Sequence, residues 1–452
     1  MKSKDVHYVC SQCGRSETKW LGRCPDCGSW NTFEEEAIQS VSDGKHALIS
    51  TLAKPVSLES VVIDPHFRYE TGIGELDRVL GGGVMRGSSI LLGGEPGIGK
   101  STLMLQVLEK CSLGRKVLYV SGEESPSQVK LRAQRLDLKL SSIDIFCDTR
   151  AEILESLLTS TKPDVVVIDS LQTLSSEELP SPAGSVNQIR YCSTLLVGIC
   201  KQLGISLFLI GHVTKEGVLA GPKVIEHLVD TVLYFEQVSS GVRLVRAAKN
   251  RFGSVDEIGI FSMHEKGLTA VANPSSFFIT DRSGTTLPAG IAYTAVIEGS
   301  RTFLVEIQAL TTLAKNGYSR IYSERIDTAR VTRVAAILER HAGVRLSDQD
   351  IYVNVAGGMK LSEVSIELPL ALALWSALSG KSLPKALVSF GELSLAGEVR
   401  SVGFPEKREK AAKELGFSRS LLPRALSHSP LNQYPCATIR DALEACTKLG
   451  KL

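Results

Sequence analysis

The chain has 452 residues, 43% hydrophobic and 22% charged, and its 51 basic and 49 acidic side chains leave a net charge of only +2. That length implies two or three domains, each able to bury a core, and the balanced charge excludes a partner chosen by bulk field alone, so any nucleic-acid surface must be local. No apolar run approaches the roughly 20 residues that cross a bilayer, and Met1-Lys2-Ser3-Lys4 lacks the apolar stretch of a secretory signal, so a cytoplasmic protein without a membrane partner is expected.

Residues 1–30 hold Cys10-x-x-Cys13 and, ten residues later, Cys24-x-x-Cys27. Each pair presents two thiolates to one ion, and the two pairs make a closed tetrahedral Zn²⁺ site that supplies folding energy to a segment too short for its own core. A redox role for these pairs lacks the βαβ context that it needs. Lys19, Trp20 and Arg23 permit nucleic-acid contact without demonstrating it. The other six cysteines are scattered. Cys111, Cys192 and Cys200 sit in helical apolar surroundings and read as small core residues. Residues 31–66, with the acidic run Glu34–Glu36 and no periodicity, read as a linker.

From 67 to about 265, apolar strands alternate with amphipathic helices, the pattern of an α/β fold with a parallel sheet. Between a predicted strand at 90–92 and a helix from 103 lies Gly94-Glu95-Pro96-Gly97-Ile98-Gly99-Lys100-Ser101-Thr102. It fits G-x-x-x-x-G-K-[ST], a loop whose amides cradle phosphates, with Lys100 reaching the β/γ-phosphates and Ser101 ligating Mg²⁺. The strand Val165–Ile168 ends in Asp169, a second Mg²⁺ partner. Tyr119-Val120-Ser121-Gly122-Glu123-Glu124 closes another strand at the same sheet edge, with Glu123 favoured over Glu124 as the base that activates water. A nucleoside triphosphate, Mg²⁺ and Zn²⁺ are therefore the expected cofactors. Residues 266–452 change rhythm: strands at 302–313, 350–355 and 386–395, with helices at 328–341, 365–378 and 407–415, indicate a separate α+β domain.

Together the P-loop, the Glu123 strand and Asp169 resemble the RecA-like ATPases. The Cys₄ module with Leu21-Gly22-Arg23-Cys24-Pro25, the run Thr71–Gly83 and Lys249-Asn250-Arg251-Phe252-Gly253 narrow the resemblance to the RadA/Sms branch, over nearly the whole chain. The resemblance implies a zinc finger, a RecA-like motor and a Lon-protease-like domain assembled as a homo-hexameric ring. It also implies that the nucleotide is ATP and that DNA-dependent ATP hydrolysis drives branch migration in recombination, DNA repair and the stress response to DNA damage. The implied partners are single-stranded and branched DNA and the RecA recombinase. In such rings Lys249 and Arg251 would serve the neighbour's γ-phosphate; without the family they read as a basic surface turn. DNA would pass the loop Gln172–Asn187, read as flexible, and the loop after Ile210, where Lys215 and Lys223 would meet phosphates. His212 in that second loop is a nucleotide sensor or an ordinary structural histidine.

The segment Gly357–Ser365 is similar to the Lon serine region. The best register places Glu406 where the Lon lysine belongs, with Lys407 one residue away and Glu367 replacing a glycine; an acid cannot act as the amine base. The domain is therefore expected to be a non-proteolytic scaffold, with Lys360, Arg400, Lys407, Arg408 and Lys410 as candidates for a DNA-facing patch. A Ser protease and a RecA-like signalling ATPase acting on proteins are the competing functions.

Overall fold

The computed structural model describes residues 6–10, 15–25, 28–37, 57, 59, 67–212, 224–238, 241–271, 278–280, 287–314 and 319–450. Two compact units divide the chain, Met1–Glu236 with Arg243–Ala270 and Gln237–Val242 with Val271–Leu452.

In the first unit, Val6–Cys10 pairs antiparallel with both Ser16–Glu17 and Phe33–Ala37. The expected linker therefore starts too early, because the Glu-rich run is a strand registered from Val6↔Ala37 to Cys10↔Phe33. Acidic residues are depleted in strands; here Phe33, buried with Cys10 and Cys24, fixes the register instead.

The second sheet has nine strands, in the order Gly267–Ala270, Ile258–His264, Val242–Asn250, Thr231–Gln237, Ser89–Gly94, Ser206–His212, Val165–Asp169, Val117–Ser121 and Asp144–Phe146. The strands from Thr231–Gln237 to Asp144–Phe146 are mutually parallel. All five residues of Val165–Asp169 are buried, as a strand covered on both faces requires. Helix Lys100–Cys111 packs into the core on one face, and helices Ala151–Thr161 and Val186–Leu203 into the core on the other. The pairs His212↔Gly94, Ile210↔Asp169 and Ser121↔Asp169 bring the carboxyl ends of four strands to one edge. That is where α/β sheets bind ligands. The last hairpin pairs Met263↔Leu268 and His264↔Gly267, so a domain boundary at 265–266 would cut it at its turn. The sheet runs on to Ala270.

The second unit is built on a seven-stranded sheet, ordered Ile321–Ser323, Gln349–Val355, Arg301–Leu313, Ile291–Glu298, Leu387–Ser389, Arg419–Leu422 and Asn432–Pro435. Helices Thr328–Ala342, Glu367–Ser379, Pro405–Glu414 and Ile439–Leu449 complete it. The strand expected over 386–395 is broken: Leu387–Ser389 belongs to this sheet and Glu392–Leu393 to a separate hairpin. Gly391 makes the break, donating its amide to Ser365 O at 2.9 Å where a Cβ would lie 2.8 Å from Val399 Cγ1.

Candidate nucleotide site

The P-loop follows the central strand, and its backbone requires glycine. Gly97 and Gly99 have φ of +78° and +115°. A Cβ on Gly99 would sit 2.5 Å from Met263 Cε, and one on Gly94 would sit 2.7 Å from Phe235 O. Gly99 caps helix Lys100–Cys111 without a side-chain acceptor, leaving the first-turn amides for an anion. Glu95, Pro96 and Gly97 are exposed, Ile98 is buried, and Ser101 and Thr102 are half-buried in the first helical turn. The cradle fits a nucleotide phosphate chain.

Lys100 is buried, and its Nζ donates to Gly94 O at 2.7 Å and Glu95 O at 2.9 Å. Burial lowers the ammonium to about 8, against the opposing pull of Asp169, Glu123 and Glu95. His212 Nδ1 lies 3.3 Å from the same Nζ, and His212 Nε2 lies 3.1 Å from Glu123 Oε1. An ammonium only donates, so Nδ1 accepts and Nε2–H donates to the carboxylate. Thus His212 bridges Lys100 and Glu123.

Glu123 also accepts from Ser170 Oγ at 2.6 Å. Burial raises its carboxyl, but the hydrogen bonds from Ser170 and His212 and the nearby positive charge outweigh that and hold it below its ordinary value. Glu124 faces elsewhere and pairs with Arg132 at 2.5 Å. Asp169 is buried beside them and accepts from Tyr119 Oη at 2.5 Å. The donors Ser101 and Asp169 are the hard oxygen ligands that Mg²⁺ takes. Sequence reasoning left His212 undecided and missed Ser170 and Tyr119. The signals were there: Ser170 adjoins Asp169, and Tyr119 alternates with Ser121 along its strand.

Lys249 and Arg251 are not brought to this site. Lys249 Nζ donates to Val229 O at 2.7 Å, Glu226 O at 2.8 Å and His227 O at 3.3 Å, at the end of helix Val224–Leu228. Arg251 Nη1 donates to Asp230 Oδ1 at 3.0 Å, while Asp230 Oδ2 accepts from Ser89 N at 3.1 Å and Ser89 Oγ at 3.0 Å. Ser89 begins the strand that Gly94 ends, so the cations lie at the opposite sheet edge, about 17 Å away at the rise of an extended strand. Far from being a bare surface turn, the segment 249–253 is a hub. Asn250 Nδ2 donates to Val79 O at 3.2 Å, Phe252 O accepts from Arg68 Nη2 at 2.8 Å, and Gly253 packs against the backbone of Gly81. It joins two segments that the sequence shows only as separate runs.

Cys10 and Cys24 are buried and head two matching loops, Cys10 N donating to Arg15 O and Cys24 N to Ser29 O, both at 2.8 Å. Paired turns of equal span suit a Cys₄ zinc site; Cys13 and Cys27 lie outside the described residues, as do Lys215 and Lys223. Cys111, Cys192 and Cys200 are buried, and burial pushes their thiols up to about 11, 12 and 12. The loop Gln172–Asn187 is not the flexible segment expected. Gln188 clamps it, accepting from Ser176 N at 2.9 Å and donating to Ser176 O at 3.0 Å, Leu179 O at 3.2 Å and Ser181 O at 2.8 Å.

In the second unit neither Glu406 nor Lys407 meets Ser365. Arg408 does, its Nη1 donating to the buried Ser365 Oγ at 3.2 Å while the guanidinium pairs with Glu363 and donates to Ala295 O. Helix Pro405–Glu414 turns Arg408 inward, so it is fully buried and does not belong to a surface patch. A guanidinium stays protonated and cannot serve as the base of a Ser-Lys dyad.

Residues 69–145 match the sequence model of the KaiC ATPases, residues 8–35 that of the rubredoxin metal-binding domain, and residues 322–425 that of subunit ChlI of Mg-chelatase. The chain is 48% identical to DNA repair protein RadA of Treponema pallidum over 430 residues, 94% of each chain. It is 45% identical to DNA repair protein RadA of Bacillus subtilis, over 92% of each, and 42% identical to that of Aquifex aeolicus, over 98% of this chain and 99% of the relative. The fold is thus a RecA-like P-loop ATPase core with an N-terminal zinc ribbon and a C-terminal α+β domain of the ChlI and Lon type. Among the described residues no helix is long and apolar enough to cross a membrane.

Proposed function

The chain belongs to the RadA family of DNA repair proteins, and from that premise we propose that it is a ring-forming, DNA-stimulated ATPase that moves branched recombination intermediates. That it hydrolyses ATP in DNA repair follows from the family; the ring, the movement and the partner recombinase go further. One observation supports the ring: Lys100, Glu123 and Asp169 share one edge of the sheet, whereas Lys249 and Arg251 occupy the other; the movement and the recombinase rest on the family resemblance. Lys249 and Arg251 thus lie away from the subunit's own γ-phosphate, and half-exposed Arg251 would serve a neighbour's instead, an arrangement that a closed ring of identical subunits would complete.

Within the site, Lys100 holds the terminal phosphates, and Ser101 and Asp169 would hold Mg²⁺, which supplies charge neutralisation there. Glu123, kept ionised by Ser170 and His212, takes the proton of the attacking water. His212 ends strand Ser206–His212, and Lys215 and Lys223, the residues read as meeting DNA, follow it in the sequence. A protease is disfavoured by Arg408 at Ser365.

ATPase turnover measured with and without single-stranded DNA tests the proposal. Turnover should rise with DNA and vanish in Lys100→Ala; a rate indifferent to DNA favours an ATPase that acts on proteins.

A further inference from the structure

We propose that the outer face of the C-terminal sheet is a base-stacking platform for single-stranded nucleic acid, centred on Tyr322 and Tyr352. Strand Gln349–Val355 alternates, with Gln349, Ile351, Val353 and Val355 buried and Tyr352 exposed between them. The register sets Leu310, Tyr352 and Tyr322 side by side on three neighbouring strands. They are 58%, 39% and 46% exposed, against the general burial of large apolar side chains. The two rings are stacked, centroids 4.8 Å apart and planes 6° from parallel, so they present aromatic surface on strands that lie next to one another.

The flanking rows are polar in a consistent way. On one side Gln308 pairs with Asn354, and Asn354 Nδ2 donates to Gln308 Oε1 at 3.0 Å. On the other lies exposed Arg320, within reach of the Tyr322 hydroxyl, while the Asp350 carboxylate is turned to the Arg320 amide at 2.9 Å. A cation at one border, aromatic rings in the middle and amides at the other border match a phosphate, a base face and a base edge. Sheet-borne aromatics on adjacent strands stack unpaired bases in this manner.

The inference rests on the proposal that DNA is this protein's partner, and the test separates the two. Binding of dye-labelled oligothymidylate to the full-length protein is followed by anisotropy over a range of salt. Tyr352→Ala or Tyr322→Ala should weaken binding about five- to 150-fold, from roughly 1–3 kcal/mol per stacked base, while Tyr352→Phe restores it and DNA-free ATPase is unchanged. Arg320→Gln should lower the salt slope by about one. Unchanged affinity in the Ala variants with an unchanged slope for Arg320→Gln overturns the platform alone. Ala variants that lose molecular mass by light scattering, along with DNA-free ATPase, overturn it in favour of a contact between copies. A wild-type protein that ignores oligothymidylate overturns both proposals.

Discussion

Glu123 and Glu124 are adjacent and chemically identical; they differ in what each touches. Glu123 holds Ser170 and His212, whereas Glu124 is held by Arg132. Glu123→Gln should therefore leave ATP binding intact and lower turnover by roughly 10²–10⁴-fold, the usual worth of a general base, and Glu124→Gln should change turnover little. Equal losses in single-turnover assays would contradict the assignment. Lys100 carries a pH signature. Its ammonium, lowered by burial to about 8 from an ordinary value of 10.5, is protonated at neutral pH but loses its charge early. ATP affinity should thus fall as pH rises through about 8, and this limb should be absent in Lys100→Ala. The linkage to folding has the opposite sign. Between about 8 and 10.5 the unfolded chain binds the extra proton, so this group's contribution to stability grows with pH across that window and its penalty is complete below it.

At the scale of elements, the nucleotide-binding half was legible because its signals are local. The strands at 90–92, 117–120 and 165–169 announce themselves as buried apolar runs, and G-x-x-x-x-G-K-[ST] lies between strand and helix as it must. Strand Phe33–Ala37 was missed because three glutamates mask it, and the break at Gly391 because only its close approach to Val399 explains it. The hub at 249–253 was illegible as architecture: Lys249 reaches carbonyls some 20 residues earlier and Asn250 reaches Val79, 171 residues away. Likewise 43 residues separate Ser365 from Arg408, the cation that meets it. Pairings of that separation are set by the fold and leave no periodicity. The hub makes a prediction of its own. A Cβ on Gly253 would lie 2.9 Å from Gly81 Cα, whereas one on Gly114 meets nothing within 4 Å. Gly253→Ala should lower unfolding stability in urea by roughly 1–3 kcal/mol, with Gly114→Ala as a near-neutral control; equal midpoints would show that the Gly81 contact yields freely.

At the scale of the whole molecule, Lys100, Glu123 and Asp169 lie at one edge of a single sheet and Lys249 and Arg251 at the other, and under the proposed function these are two halves of a site shared between subunits. The P-loop half is complete in its acids and its lysine, and Arg251 is anchored through Asp230 to Ser89, the root of the P-loop strand itself. In the proposed ring every P-loop would have such a neighbour. Co-expression of Lys100→Ala with Arg251→Ala tests this most directly. Each variant alone should be inactive, but mixed assemblies should regain roughly a quarter of wild-type ATPase, the share of sites in which an intact P-loop meets an intact cation by random pairing. Activity no greater than the sum of the two separate variants would contradict a shared site.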